Sequence, residues 1–236
     1  MTPGLQALVL AIALLTDAGV HERHRASEPV VRAPGYAPLA FDAPPAGSYE
    51  LPALGPAADG GVLDSEGREI TLHDLYRDKL VVLSFIYTSC PDVNGCPLAG
   101  FVLSQLQKHV LADSFLREDV RLLSLSFDPG IDTPARMAAY GENLRRHGGD
   151  WQFLTSTSET ELEPILESYD QFVQRDYDEA GNYLGSLSHI LRVYLIDRAG
   201  RVRNIYSPSF LHADVLLADL RTLKLAEQET VTRAKP

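Results

Sequence analysis

The chain of 236 residues contains two cysteines, Cys90 and Cys96. They lie in the segment FIYTSCPDVNGCP, where an apolar run ends, a polar loop carries Cys90, and Cys96 directly precedes Pro97. Because proline is favoured in the first turn of a helix, Cys96 is expected near a helix N-terminus, whose partial positive charge favours the thiolate. A thiolate is both a metal ligand and a redox nucleophile. The pair therefore indicates a site for metal binding or dithiol exchange.

A structural disulfide is the other interpretation of this pair, since two close cysteines pair readily in an oxidising compartment. A bridge across so short a loop restricts the unfolded chain little and contributes only modest stability. We therefore favour a functional site.

The elements around the cysteines alternate between strand and helix patterns. Strands are predicted over 80–87, 120–127, 151–155, 190–196 and 202–206, and helices over 97–111, from Thr133, from Ser158 and over 211–226. Thr133 is followed by a proline, and Ser158 with Glu161 forms a capping box, so both are start signals of helices. This alternation predicts an α/β fold with a mixed central sheet and helices on both faces.

One folded domain is predicted over residues 49–228, after a Pro/Ala/Gly-rich linker over 21–48 that need not pack, and before a tail over 229–236. Residues 1–20 have the pattern of a secretory signal. Their apolar run, 5–15, is too short to cross a bilayer core of about 30 Å as a helix. The chain is therefore predicted to be exported and periplasmic, and association with the membrane through an uncleaved leader stays open.

The composition excludes some classes of partner. The net charge of −11, without a cluster of Lys or Arg that could neutralise successive phosphates, argues against a nucleic-acid partner. An acidic surface attracts cations, although excess acid commonly serves solubility alone.

Three ordered motifs resemble the SCO (SenC-type) copper-chaperone family. They are Cys90-Pro91-Asp92 followed by Cys96-Pro97, Ser126-Phe127-Asp128-Pro129 with Asp132-Thr133-Pro134, and Ser188-His189 before Val193-Tyr194-Leu195-Ile196-Asp197. The resemblance implies a thioredoxin-like fold with an extra hairpin. It also implies copper bound by two cysteines and one histidine, for delivery to the binuclear copper site of cytochrome c oxidase. The family usually has three residues between its cysteines, whereas this chain has five, 91–95.

The implied ligands are Cys90, Cys96 and His189. Two thiolates and one imidazole suit Cu(I), and with a weak extra ligand they also hold Cu(II). His189 is predicted to open a buried strand, so that its ring projects from the end of the sheet toward the cysteine loop. Asp92 and Asp128 are candidates to orient His189 or to receive a proton. Asp128, which precedes a proline, is equally a turn former.

An alternative function uses Cys90 and Cys96 as the catalytic redox pair of a thiol–disulfide oxidoreductase that reduces cysteines of a copper-receiving protein. Metal binding needs His189 and dithiol exchange does not, so the position of His189 separates the two functions. The Thr-x-x-Cys pattern of peroxide reductases would need threonine where this chain has Tyr87. The expected partner is a copper-receiving exported or membrane protein, and the chain is expected to be a monomer.

Overall fold

The structure, a computed structural model, describes residues 30–233. The predicted leader over 1–20, the first part of the predicted linker and residues 234–236 lie outside the described residues. The strands are β1 (Gly55–Pro56), β2 (Gly61–Leu63), β3 (Glu69–Thr71), β4 (Leu80–Ile86), β5 (Val120–Ser126), β6 (Trp151–Leu154), β7 (Val173–Tyr177), β8 (Tyr183–His189), β9 (Val193–Ile196) and β10 (Arg201–Tyr206). The helices are α1 (Leu72–Tyr76), α2 (Cys96–Ala112), α3 (Pro134–Leu144), α4 (Glu159–Ser168) and α5 (Ala213–Arg233).

Six strands form the central sheet in the order β1-β10-β9-β4-β5-β6. β5 pairs parallel with both β4 and β6, whereas β9 pairs antiparallel with β4 and β10, and β10 pairs antiparallel with β1. All seven residues of β4 are buried, which requires cover on both faces of the sheet. The α/β architecture with a mixed central sheet is therefore confirmed.

The helices pack against the sheet and against one another, and two small hairpins stand apart from the central sheet. α2 packs against α5, and α3 packs against β6. The apolar residues Leu98, Val102 and Leu106 recur every four positions of α2 and are all buried, which gives this helix its inward face. The hairpins are β2–β3 and β7–β8. Among the described residues, no helix has both the length and the hydropathy needed to cross a membrane.

The predicted helix starts are confirmed by their caps. The side chain of Thr133 accepts a hydrogen bond from the Arg136 backbone N–H, and that of Ser158 accepts one from the Glu161 N–H. The last helix extends further than its sequence predicts. α5 continues to Arg233, so the part of the predicted tail that the structure describes is helical.

Part of the predicted linker, residues 33–37, packs against the domain. Residues 34–36 form one turn of 3-10 helix, and the Tyr36 ring stacks on Phe101 of α2 with ring centroids 5.1 Å apart. Gly35 is buried, and a Cβ there would lie 2.3 Å from the Leu211 carbonyl oxygen, so only glycine fits this close approach. The high content of Pro, Ala and Gly in residues 21–48 is typical of a linker and gives no signal of this packing. We call residues 33–37 the strap.

Gly141 is the contact point between α3 and β6. A Cβ at this position would lie 2.4 Å from Cδ2 of Phe153. The Phe153 ring is buried and stacked on Trp151, with ring centroids 5.1 Å apart, so it has little room to move away.

We predict that Gly141→Ala lowers the free energy of unfolding by about 1–3 kcal/mol, because overpacking outweighs the helix propensity of alanine. Urea unfolding followed by circular dichroism measures the change. Gly61→Ala is the control, because a Cβ at position 61 meets nothing within 4 Å. A Gly141→Ala variant as stable as the wild type would show that the two elements are less closely packed.

Candidate metal centre

Three side chains from distant parts of the sequence converge at one end of the central sheet. Cys90 lies in the loop after β4, Cys96 is the first residue of α2, and His189 is the last residue of β8. The Sγ atoms of both cysteines lie 3.7 Å from Nε2 of His189. The three ligand atoms all lie within 4.8 Å of one another, and neither cysteine forms a disulfide.

His189 reaches the cysteines from a different element than its sequence predicts. It ends β8, where it pairs with Val173 of β7, and it does not open the strand that follows. β9 begins only at Val193, and Ile190 between the two strands is 42% exposed. The apolar residues after His189 made the two strands look continuous, so the sequence reasoning placed the break too early.

Two aromatic rings hold the His189 imidazole in place. The Tyr87 ring meets it edge-on at a centroid distance of 5.7 Å, and the Phe127 ring lies 4.9 Å away at a tilt of 47°. The Tyr87 hydroxyl also exchanges hydrogen bonds with the backbone N–H and C=O of Leu187, both at 3.3 Å. Tyr87 therefore fixes both the histidine ring and the strand that carries it.

A buried carboxylate holds the start of the cysteine loop. Asp132, fully buried, accepts hydrogen bonds from the Thr88 N–H at 2.9 Å, from the Thr88 hydroxyl, and from the Ser126 hydroxyl at 2.7 Å. Arg136 lies 3.3 Å from the same carboxylate and compensates its charge. Because Thr88 stands two residues before Cys90, this network positions the first sulfur.

The two thiols differ in exposure and in acidity. Hydrogen bonding from Cys96, with a further contribution from His189, lowers the pKa of the half-buried Cys90 to about 4. The hydrogen bond with Cys90 and burial raise the pKa of Cys96, whose sulfur also accepts the Tyr87 N–H at 3.4 Å. The sequence placed Cys96 near a helix N-terminus, where the partial positive charge favours a thiolate. The structure makes Cys90 the thiolate and Cys96 the proton donor of the pair.

Neither predicted carboxylate orients His189. Nδ1 of His189 is buried and has no hydrogen-bond partner among the described residues. Asp92 instead forms a local turn, in which its Oδ1 accepts the Asn94 N–H and its backbone carbonyl accepts the Gly95 N–H, both at 2.9 Å. Asp128 is a turn former, as the alternative interpretation had it, since its carbonyl accepts the Ile131 and Asp132 N–H groups.

The chemistry of the three donors fits a soft metal ion. Two sulfurs and one imidazole nitrogen face a common point, and Cu(I) prefers this type of ligand set. The lone pair of Nε2 is available when the ring proton is on Nδ1, the nitrogen that points away from the thiols. Metal-binding histidines usually donate a hydrogen bond from the second ring nitrogen; because Nδ1 of His189 has no such partner among residues 30–233, the packing of Tyr87 and Phe127 takes over that orienting role.

Sequence reasoning missed three supporting residues of the site, Tyr87, Asp132 and Asn94. The first two had a detectable signal, because each follows the carboxyl end of a buried strand and such strand ends meet at one edge of a parallel sheet. Asn94 had none, since its side chain accepts a hydrogen bond from Ala33, 61 residues earlier in the chain.

Comparison with known proteins agrees with this geometry. The SCO1/SenC family model matches residues 61–224. The SCO1 protein homolog of Bacillus subtilis is 28% identical over 145 residues, which cover 61% of this chain and 69% of that protein.

Two solved structures share the fold at 26% sequence identity. The structure of Bradyrhizobium japonicum ScoI with copper bound superposes with a TM-score of 0.55, covering 69% of this chain and 98% of that one. The solution structures of apo Sco1 from Thermus thermophilus give a TM-score of 0.60, with coverage of 75% and 95%. Since the family model spans more than half of the sequence and includes all three converging side chains, the chain belongs to the SCO1/SenC family.

Proposed function

We propose that this protein is a copper carrier, with Cys90, Cys96 and His189 as its ligands, that delivers copper to an exported copper site such as that of cytochrome c oxidase. The observation that carries the proposal is the equal distance of 3.7 Å from Nε2 of His189 to each of the two sulfurs. Dithiol exchange does not need a nitrogen at that point, whereas a third ligand is required there for a three-coordinate metal ion. The copper-bound ScoI relative supports copper as the metal.

The protonation state of the thiols prepares the site for a cation. One negative charge is already present on Cys90, because its pKa is lowered to about 4. Binding of the ion then displaces the proton of Cys96, since a metal-bound thiol loses its proton. Each copper ion taken up at neutral pH therefore releases about one proton per chain.

The receiving partner in this proposal is an exported or membrane protein with a copper site. The secretory pattern of residues 1–20 supports an exported, periplasmic location, and the carrier acts as a monomer in this proposal. A single domain over residues 49–228, extended at its N-terminal side by the strap, is the unit that carries the site.

The oxidoreductase alternative also has one specific observation in its favour. A thiolate of low pKa beside a buried thiol is the usual arrangement of a dithiol redox pair. In this alternative Cys90 attacks a disulfide of the copper-receiving protein, and Cys96 then resolves the mixed disulfide. Copper and a Cys90–Cys96 disulfide exclude each other at the same sulfurs, so one molecule performs only one of the two activities until a thiol reductant restores the dithiol.

We expect the reduced wild-type protein to bind one Cu(I) per chain and His189→Ala to bind it roughly 100-fold more weakly, because the variant loses one of three ligands. Competition with a chromophoric Cu(I) chelator measures both affinities. His147→Ala is the matched control, because His147 is exposed after α3 and is not one of the three residues that converge at the site. Equal affinities of wild type and His189→Ala would remove His189 from the site. No binding by either protein would leave the oxidoreductase function.

We also expect iodoacetamide to modify Cys90 before Cys96 and to do so as readily at pH 6 as at pH 8. Above its pKa of about 4, Cys90 is a thiolate, so its rate stays nearly constant over this range. An ordinary thiol with a pKa near 8.5 slows roughly 100-fold between pH 8 and pH 6. Peptide mapping by mass spectrometry follows each cysteine, with glutathione as the reference thiol. Faster modification of Cys96, or a Cys90 rate that falls like that of glutathione, would contradict the assigned thiolate.

A further inference from the structure

The loop between the two cysteines spans residues 91–95 and is two residues longer than the usual spacing of the family that the sequence resembles. Pro91 and Asp92 are exposed, and Val93 and Asn94 are half-buried. A longer loop has more conformations available, so holding both sulfurs toward His189 costs more conformational entropy unless something restrains it.

The strap restrains the middle of this loop with two hydrogen bonds. The Tyr36 hydroxyl donates a hydrogen bond to the Val93 carbonyl at 2.6 Å. The Ala33 backbone N–H donates to Oδ1 of Asn94. The two bonds join residues 57 and 61 positions apart in the sequence, so they tie the loop to a different part of the domain.

The strap is itself held firmly against the helices. Besides the stacking of Tyr36 on Phe101, Nε2 of His212 lies 3.1 Å from the Ala37 carbonyl oxygen, directly before α5. The buried Gly35 lies against the Leu211 carbonyl oxygen and the side chains of Leu98 and Val102. An element that is packed in this way against the helices can restrain the loop that it contacts.

The strap also lies outside the region that carries the family assignment. The family model begins at residue 61, whereas the strap covers residues 33–37. Its contacts fall on Val93 and Asn94, the third and fourth of the five loop residues. The longer loop is therefore held by a segment that lies outside the matched region.

We propose that the strap is a positioning element for the copper ligands and that the Tyr36 hydroxyl is its principal positioning group. In this role Tyr36 does not contact either sulfur. It acts through the Val93 carbonyl, which restrains the loop so that Cys90 and Cys96 face His189 together. The assignment rests on the proposed copper-carrier function, since it concerns the same three ligands.

The test uses Tyr36→Phe in the full chain, because phenylalanine keeps the ring that stacks on Phe101 and removes only the hydroxyl. We expect its Cu(I) affinity to fall roughly tenfold, as for the loss of a group that orients a ligand. We also expect the amide hydrogens of Asn94 and Gly95, which donate to Asp92 within the loop, to exchange several-fold faster in the metal-free protein. Competition titration and NMR hydrogen exchange measure the two effects.

Tyr49→Phe is the matched control. It removes another tyrosine hydroxyl from the N-terminal side of the domain, one that donates to Asp219 at 2.6 Å. This variant should lose thermal stability and keep both the Cu(I) affinity and the exchange rates of the loop. An equal loss of affinity in both variants would reduce the strap to a general contributor to stability and overturn the assignment.

The two proposals fail in different ways. A wild-type protein that binds no Cu(I) overturns the copper-carrier function, and amide exchange in the loop then decides on the strap alone. Unchanged exchange and unchanged affinity in Tyr36→Phe overturn the strap assignment while leaving the copper-carrier function intact. Faster exchange with tenfold weaker binding supports both.

Discussion

The packing of the His189 imidazole between two aromatic rings is the contact on which the rest of the site depends. Tyr87 and Phe127 directly follow β4 and β5, whose last residues, Ile86 and Ser126, are paired in the parallel ladder. The register of these two strands therefore sets the spacing of the rings, and the rings set the place of the imidazole. Because Cys90 follows Tyr87 by three residues, one strand end positions ligands from both sides of the site.

Polar interactions position the cysteine loop, whereas the aromatic rings position the imidazole. The buried carboxylate of Asp132 is satisfied by hydroxyl and amide donors at the start of the loop, so it is a rigid support without an unpaired charge. The charge of the cysteine pair is limited in another way. A single proton shared by the two sulfurs leaves only one negative charge among the three ligands. A partly buried site tolerates one such charge far better than two.

Most of the fold followed from local patterns in the sequence. The continuous apolar runs of β4 and β5 and the capping residues Thr133 and Ser158 are short-range signals, and they gave the correct elements in the correct order. The cysteine pair and the histidine were also recognisable, through motifs and their spacing. The features that the sequence did not predict depend on tertiary contacts. The role of His189 as the end of a hairpin and the packing of the strap both depend on pairings between residues far apart in the chain.

The two sulfurs differ in exposure, and this difference bears on the order in which they would release the ion. Cys96 is almost fully buried at the head of α2, whereas Cys90 is open on one side. Of the two sulfurs, Cys90 is therefore the one that an incoming ligand from an acceptor reaches more easily, and its bond to the ion would be exchanged before that of Cys96. The unequal burial of the two cysteines would in this way set the order in which the sulfurs release the ion.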